Sequence, residues 1–144
     1  MGQYLRRYRE VEIYSMPKKP LTLKVRIPPY RYPRTAWRQD LHAILQEAVI
    51  KKGIVYSVAD KLELKVVLYL NDAALFVHDV DNRLKDIMDA LQGRAGGKKG
   101  KSELKPIIPN DNQVYRVTIE KMAPFKQSLG MGHLVVRKYN QGNI

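Results

Sequence analysis

The 144-residue chain contains no cysteine. That absence excludes a disulfide-stapled scaffold and any zinc site built on thiolates. Histidine is scarce as well, and His42, His78 and His133 lie too far apart for a site of the HExxH kind. No apolar run reaches the roughly 18 residues that a membrane helix needs. The basic start lacks a following apolar stretch, so no signal peptide is expected, and Arg6 stands where a myristoylation signal has Ser or Thr. Negative charge is also in short supply. Fourteen Asp and Glu face 26 Lys and Arg, for a formal net charge of +12. Hydrophobic residues make up 44%, too many for a disordered tail. The expectation is a soluble, cytoplasmic, single-domain protein with no membrane partner, whose charge points to a polyanion such as nucleic acid.

The pattern of apolar residues predicts an α+β fold. Residues 1–19 read as a basic N-terminal arm or an edge strand, and residues 20–144 as one domain. Leu21, Leu23, Val25 and Ile27 alternate with polar residues, which predicts a strand ended by Pro28-Pro29. Thr35 suits a helix N-cap. Trp37, Leu41, Ile44, Leu45, Ala48 and Val49 then share one helical face up to Lys51-Lys52-Gly53. Trp37 reads as core. Leu62 to Leu70 alternates as a second strand, with Asn71-Asp72 as a turn or bulge before Leu75-Phe76-Val77. A second helix fits residues 82–92, with Leu84, Ile87, Met88 and Leu91 inward. Residues 114–121 and 134–139 read as two further strands, expected to be neighbours. The resulting order is strand, helix, strand, helix, strand, strand: one mixed sheet with two helices on one face.

The scarce carboxylates are clustered. Asp79, Asp81, Asp86 and Asp89 fall within eleven residues. Helix capping accounts for one or two of them. Asp79 and Asp81, two apart in an extended or turning segment, would point to the same side and form half of a hard-cation site. Lys85 lies one helical turn beyond Asp81, and Asp89 continues that stripe. A third carboxylate, Asp111 in Pro109-Asn110-Asp111-Asn112-Gln113, precedes a strand, where an ordinary Asn/Asp turn is the competing explanation.

These segments together resemble one family. Asp79-x-Asp81-Asn82-x-x-Lys85-x-x-x-Asp89-Ala90-Leu91, followed by Asp111-x-Gln113-Val114 and a strand, is similar to the RusA family of Holliday junction resolvases. The resemblance covers about residues 20–140 in element order, and its specific part is residues 79–91 and 109–121. It implies that Asp79, Asp81 and Asp111 hold Mg²⁺, with Mn²⁺ an acceptable substitute, and that Lys85 completes the catalytic set. It also implies a homodimer that makes paired cuts in four-way DNA junctions during recombination and repair. The chain departs from the family pattern in a longer segment between Asp89 and Asp111, and in Asn110 where members often carry another Asp. It also has Tyr30-Arg31-Tyr32-Pro33-Arg34 in place of an Asn-containing segment.

Residues 95–102 satisfy a loose phosphate-loop pattern. However, the element before them is helical, and Pro106 and Pro109 prevent a helix after them, so no nucleotide cofactor is expected. A basic glycine-rich loop at 93–105 is the better description. Its Arg94, Lys98, Lys99, Lys101 and Lys105, together with Arg31 and Arg34, are the candidate DNA-contacting cations. The Tyr and Arg of the N-terminal segment and of 30–34 could stack on bases or serve as dimer contacts. The alternatives to a junction resolvase are a non-catalytic nucleic-acid-binding module and a related nuclease for other branched DNA.

Overall fold

A computed structural model describes residues 21–96, 104–124 and 130–142. Among the described residues the fold is α+β, with one mixed four-stranded sheet. Strand β1 (Leu23–Ile27) leads into helix α1 (Arg34–Lys52), then β2 (Leu62–Tyr69), helices α2 (Asp72–Val77) and α3 (Val80–Leu91), β3 (Val114–Met122) and β4 (Gly132–Lys138). The first 20 residues, and with them the proposed arm, lie outside the described residues.

The sheet order is β1-β4-β2-β3. The last two strands are therefore not neighbours, contrary to expectation. Instead β2 and β3 run parallel, joined through α3, and β4 inserts antiparallel between β1 and β2. Burial explains the placement. Leu134 and Val136 are fully buried and Val135 is half-buried, as suits a strand flanked on both sides.

Alternation in β1 buries Leu23, Val25 and Ile27 and exposes Lys24 and Arg26. Together with Leu62, Leu64, Val66 and Leu68 of β2, these residues form the inner face, against which Trp37, Leu41 and Leu45 of α1 and Ile87, Ala90 and Leu91 of α3 pack. Each fully buried leucine contributes about 1.5–3 kcal/mol of transfer free energy. Trp37 is core as expected, with its indole N–H donated to the Pro28 carbonyl at 3.0 Å.

Three local expectations change. Helix α1 opens at Arg34 with Pro33, not Thr35, at the N-cap; it closes on Gly53 in the left-handed region at φ 66°. The Asn71-Asp72 turn is the start of α2, and the Asn71 side chain accepts the Ala74 N–H. The buried face of α3 is Arg83, Asp86, Ile87, Ala90 and Leu91, with Leu84 and Met88 half-buried.

Candidate active site

The connection from β2 to α3 positions the first two predicted site residues. Helix α2 ends on extended His78. Asp79 follows, also extended, at the N-cap of α3. The Asp79 carbonyl accepts the Arg83 N–H at 3.0 Å, so its backbone starts the helix. Its carboxylate does not cap. Instead Oδ2 accepts from the Asn82 side-chain amide at 3.2 Å. Asp81 already lies in the first helical turn, so the pair does not share a single extended segment. Both carboxylates are nevertheless exposed at the positive end of the helix dipole. Lys85, one turn on, is exposed too. Neither Asp79, Asp81 nor Lys85 enters an ion pair among the described residues.

The rest of the acidic island has a different role. Asp86 is fully buried, and its Oδ1 accepts from Arg34 Nε at 3.0 Å and Arg38 Nε at 2.8 Å. Arg83 Nε lies 3.3 Å from its Oδ2, a contact with ion-pair proximity but poor hydrogen-bond alignment. Arg38 also reaches Asp89 Oδ2 at 3.2 Å. These contacts join α1 to α3. Asp89 therefore turns toward α1 and does not continue the Asp81–Lys85 stripe. The Arg83 guanidinium stacks 4.5 Å over Tyr30 and 5.6 Å from Trp37, and the Tyr30 ring meets His78 edge-on. Burial, reinforced by Arg83 and Lys121, holds His78 below the usual imidazole range.

The predicted DNA-contacting cations divide in the same way. Arg34 is committed to Asp86 and to the Asn82 carbonyl, a correction to its expected role. Arg31 makes a two-pronged pair with Asp40, which holds that carboxyl below its ordinary range. Arg94 and Lys105 are exposed. Lys98, Lys99 and Lys101 lie outside the described residues.

Asp111 opens a 3-10 turn, Asp111–Gln113, before β3. The Asn110 side chain accepts the Asn112 N–H, and buried Gln113 donates to the Ser57 and Asp60 carbonyls, both at 2.8 Å. Asn110 and Gln113 thus build the turn, and Asp111 is left exposed. The strand register fixes where it stands. Val114 pairs with Leu62, at the start of β2, and Met122 pairs with Tyr69 at its end. Helix α2 lies at that far end, where Lys121 Nζ donates to the Leu75 carbonyl at 2.8 Å. Asp111 and the Asp79/Asp81 pair therefore sit at opposite ends of β2, a span of about 23 Å at ~3.3 Å per residue. The expected three-carboxylate set does not converge within one chain, because the parallel β2-α3-β3 crossover returns β3 to the opposite end. Among the described residues no group of three His, Asp or Glu side chains is placed to hold a metal.

The sequence pattern placed Asp86 in the acidic cluster but did not assign it, or Arg83, to the buried contact between α1 and α3. Their signal was present: residues 83, 86, 87, 90 and 91 follow the i, i+3, i+4, i+7 spacing of a buried face. No family model matches the chain. No curated protein matches it either.

Proposed function

We propose that this chain is a metal-dependent endodeoxyribonuclease that cuts branched DNA, four-way junctions foremost, as a homodimer. The observation that carries this reading is the split of the acidic island. Asp86 and Asp89 are neutralised by arginines, whereas Asp79 and Asp81 stand exposed at a helix N-terminus without cationic partners among the described residues. In a chain of net charge +12, carboxylates kept free of nearby cations repel DNA unless a divalent cation intervenes.

Asp79 and Asp81 would hold Mg²⁺ with Asp111 of a second copy, which supplies the ligand that one chain separates from them. When bound, the ion supplies Lewis-acid polarisation of the scissile phosphate. The exposed ammonium of Lys85, one turn along α3, meets charge developing on the phosphoryl oxygens. The Asn82 amide orients Asp79. Arg94 and Lys105, with Lys98, Lys99 and Lys101 of the same loop, would bind backbone phosphates. A two-fold dimer suits two symmetric cuts across a junction. A cysteine-free chain in which no helix among the described residues can cross a membrane fits cytoplasmic work on DNA.

The separation of Asp111 favours one competing reading, a non-catalytic nucleic-acid-binding module. Incubating a labelled four-way junction with the protein and Mg²⁺ distinguishes the two. Paired cuts that Asp79→Asn lowers by at least about 100-fold, with junction binding retained, support the nuclease. Binding without cutting across several metals and pH values supports the module.

A further inference from the structure

We infer that the face of the sheet turned away from the helices is a binding surface for single-stranded DNA, with Lys24, Arg26, Lys65 and Arg137 on its phosphates and a tyrosine pair, Tyr115 and Tyr139, against its bases. Such a surface would serve a nuclease and a binding module alike, so it goes beyond the reading above and does not depend on cleavage.

Strand register defines the face. Helices α1 and α3 pack on the side that carries Leu23, Val25, Leu64, Val66, Leu134 and Val136. Residues paired in register share a face. On the other side Lys24 lies beside Val135, and Val135 beside Lys65; Arg26 lies beside His133, and His133 beside Val67; Arg137 lies beside Glu63. Lys24, Arg26, Lys65 and Arg137 are exposed, and Val67 and Val135 are half-buried, so among the described residues no helix is packed on this side.

A polar outer face is ordinary for a sheet with antiparallel strands. The balance of charge on this one is not. Its carboxylates among the described residues are Glu63 and Glu120, and Glu63 is buried beneath Arg137 and Arg116 at 2.6 and 3.2 Å. Lys24, Arg26 and Lys65 enter no ion pair among the described residues. Lys24 and Arg26 stand two residues apart on β1, about 6.6 Å, and Lys65 stands two strands from Lys24, about 9.6 Å. Cations held this close on a flat face repel one another, and a chain of phosphates crossing from β1 to β2 relieves that repulsion.

A bulge builds the aromatic end of the face. Leu62 pairs with Val114 but Glu63 pairs with Arg116, which leaves Tyr115 as an extra residue in β3. Two consecutive side chains, Tyr115 and Arg116, are thereby turned to the same side. Both reach Tyr139: the two tyrosine rings lie 5.3 Å apart, and the Arg116 guanidinium lies 4.8 Å from the Tyr139 ring. The Tyr139 N–H is donated to the Lys61 carbonyl at 2.8 Å, and the Lys61 ammonium stands 5.5 Å from the Tyr115 ring. Tyr115 is nevertheless 54% exposed. Exposed aromatic rings flanked by cations suit unpaired bases, because every base offers a π-face. Bases within a duplex are already stacked, and a flat sheet face puts neither a helix nor a ribbon into a groove. The face therefore fits a single strand better than a duplex.

Anisotropy of a labelled oligothymidylate of about 16 nucleotides, measured without metal, tests the surface. Wild type should bind it more tightly than a duplex or an RNA of the same length. Lys24→Gln combined with Lys65→Gln should weaken binding at least about tenfold and lower the slope of log affinity against log salt by about 1.4. Lys51→Gln combined with Lys52→Gln, at exposed positions ending α1, should change affinity by less than about twofold. Tyr115→Ala, checked for wild-type circular dichroism, should bind at least about fivefold more weakly, and Tyr115→Phe, which keeps the ring, should bind like wild type. Unchanged affinity and salt slope in the Lys24 and Lys65 double variant overturns the inference, as does an equal loss in the Lys51 and Lys52 double variant. Tighter binding of the duplex or the RNA overturns the choice of single-stranded DNA, and wild-type affinity in Tyr115→Ala overturns the stacking. Because no cleavage is measured, a protein that binds this strand but cuts no junction and a nuclease that holds DNA elsewhere give different results.

Discussion

Asp79 and Asp86 stand seven residues apart on or beside one helix, and their surroundings assign them opposite work. Asp86 is buried among three guanidinium groups, and removing its carboxylate would leave those charges uncompensated inside the protein. Breaking a buried ion pair from one side typically costs about 3–5 kcal/mol. Asp86→Ala should therefore lower the unfolding free energy by about that amount in a urea titration. Asp79→Asn and Asp81→Asn, at exposed positions, should change it by no more than about 0.5 kcal/mol. A strong loss of stability in Asp79→Asn would mean that this residue serves the fold. Spacing in the sequence shows that four carboxylates cluster. It does not by itself choose the inward pair, because the apolar stripe of 84, 87, 88 and 91 competes with the equally helical spacing of 83, 86, 87, 90 and 91.

Glu63 sets a pH dependence. Burial on its own would raise this carboxyl, but the bonds from Arg137 and Arg116 outweigh burial and hold it below the ordinary carboxylate range. The unfolded chain then binds more protons than the folded one as the group titrates, so stability rises with pH in that window. The contribution is complete above the unfolded value of about 4.3 and is lost as pH falls through the folded value. Denaturant midpoints taken down through this range should fall more steeply for wild type than for Glu63→Gln. Parallel curves would show that the Arg137 and Arg116 bonds do not favour the ionised form.

At the scale of elements, strand position mattered more than strand existence. All four strands of the sheet and both long helices were legible as apolar periodicities. The order of the strands was not, since β4 pairs with β1 and β2 across long stretches of chain. Gly132 carries a trace of that central position. A Cβ there would collide with the Val67 carbonyl of β2, so only glycine permits the close approach of the two strands. Gly132→Ala should destabilise the protein by about 1–3 kcal/mol, read from the shift of its denaturant midpoint. An unchanged midpoint would mean that β4 does not lie against β2 there. The short helix α2 was hidden because six residues carry too little periodicity to separate a helical turn from a bulge. The same topology separates Asp111 from Asp79, a distance that motif spacing cannot express.

At the scale of the molecule, a net charge of +12 would make the proposed DNA affinity chiefly electrostatic. If about six phosphates are neutralised, junction affinity should fall by roughly 10³-fold between about 50 and 200 mM salt, measured by fluorescence anisotropy. A flat salt response would place the basic residues away from the DNA. Charge alone would account for a binder; the proposed nuclease rests on Asp79 and Asp81, which enter no ion pair among the described residues. Cleavage of a labelled four-way junction by wild type and Asp79→Asn, side by side in Mg²⁺ at equal occupancy, tests that distinction most directly. Paired symmetric cuts by wild type, lost in Asp79→Asn while binding persists, are the expected result. Junction binding without cutting by wild type, or cutting that survives Asp79→Asn, would contradict it.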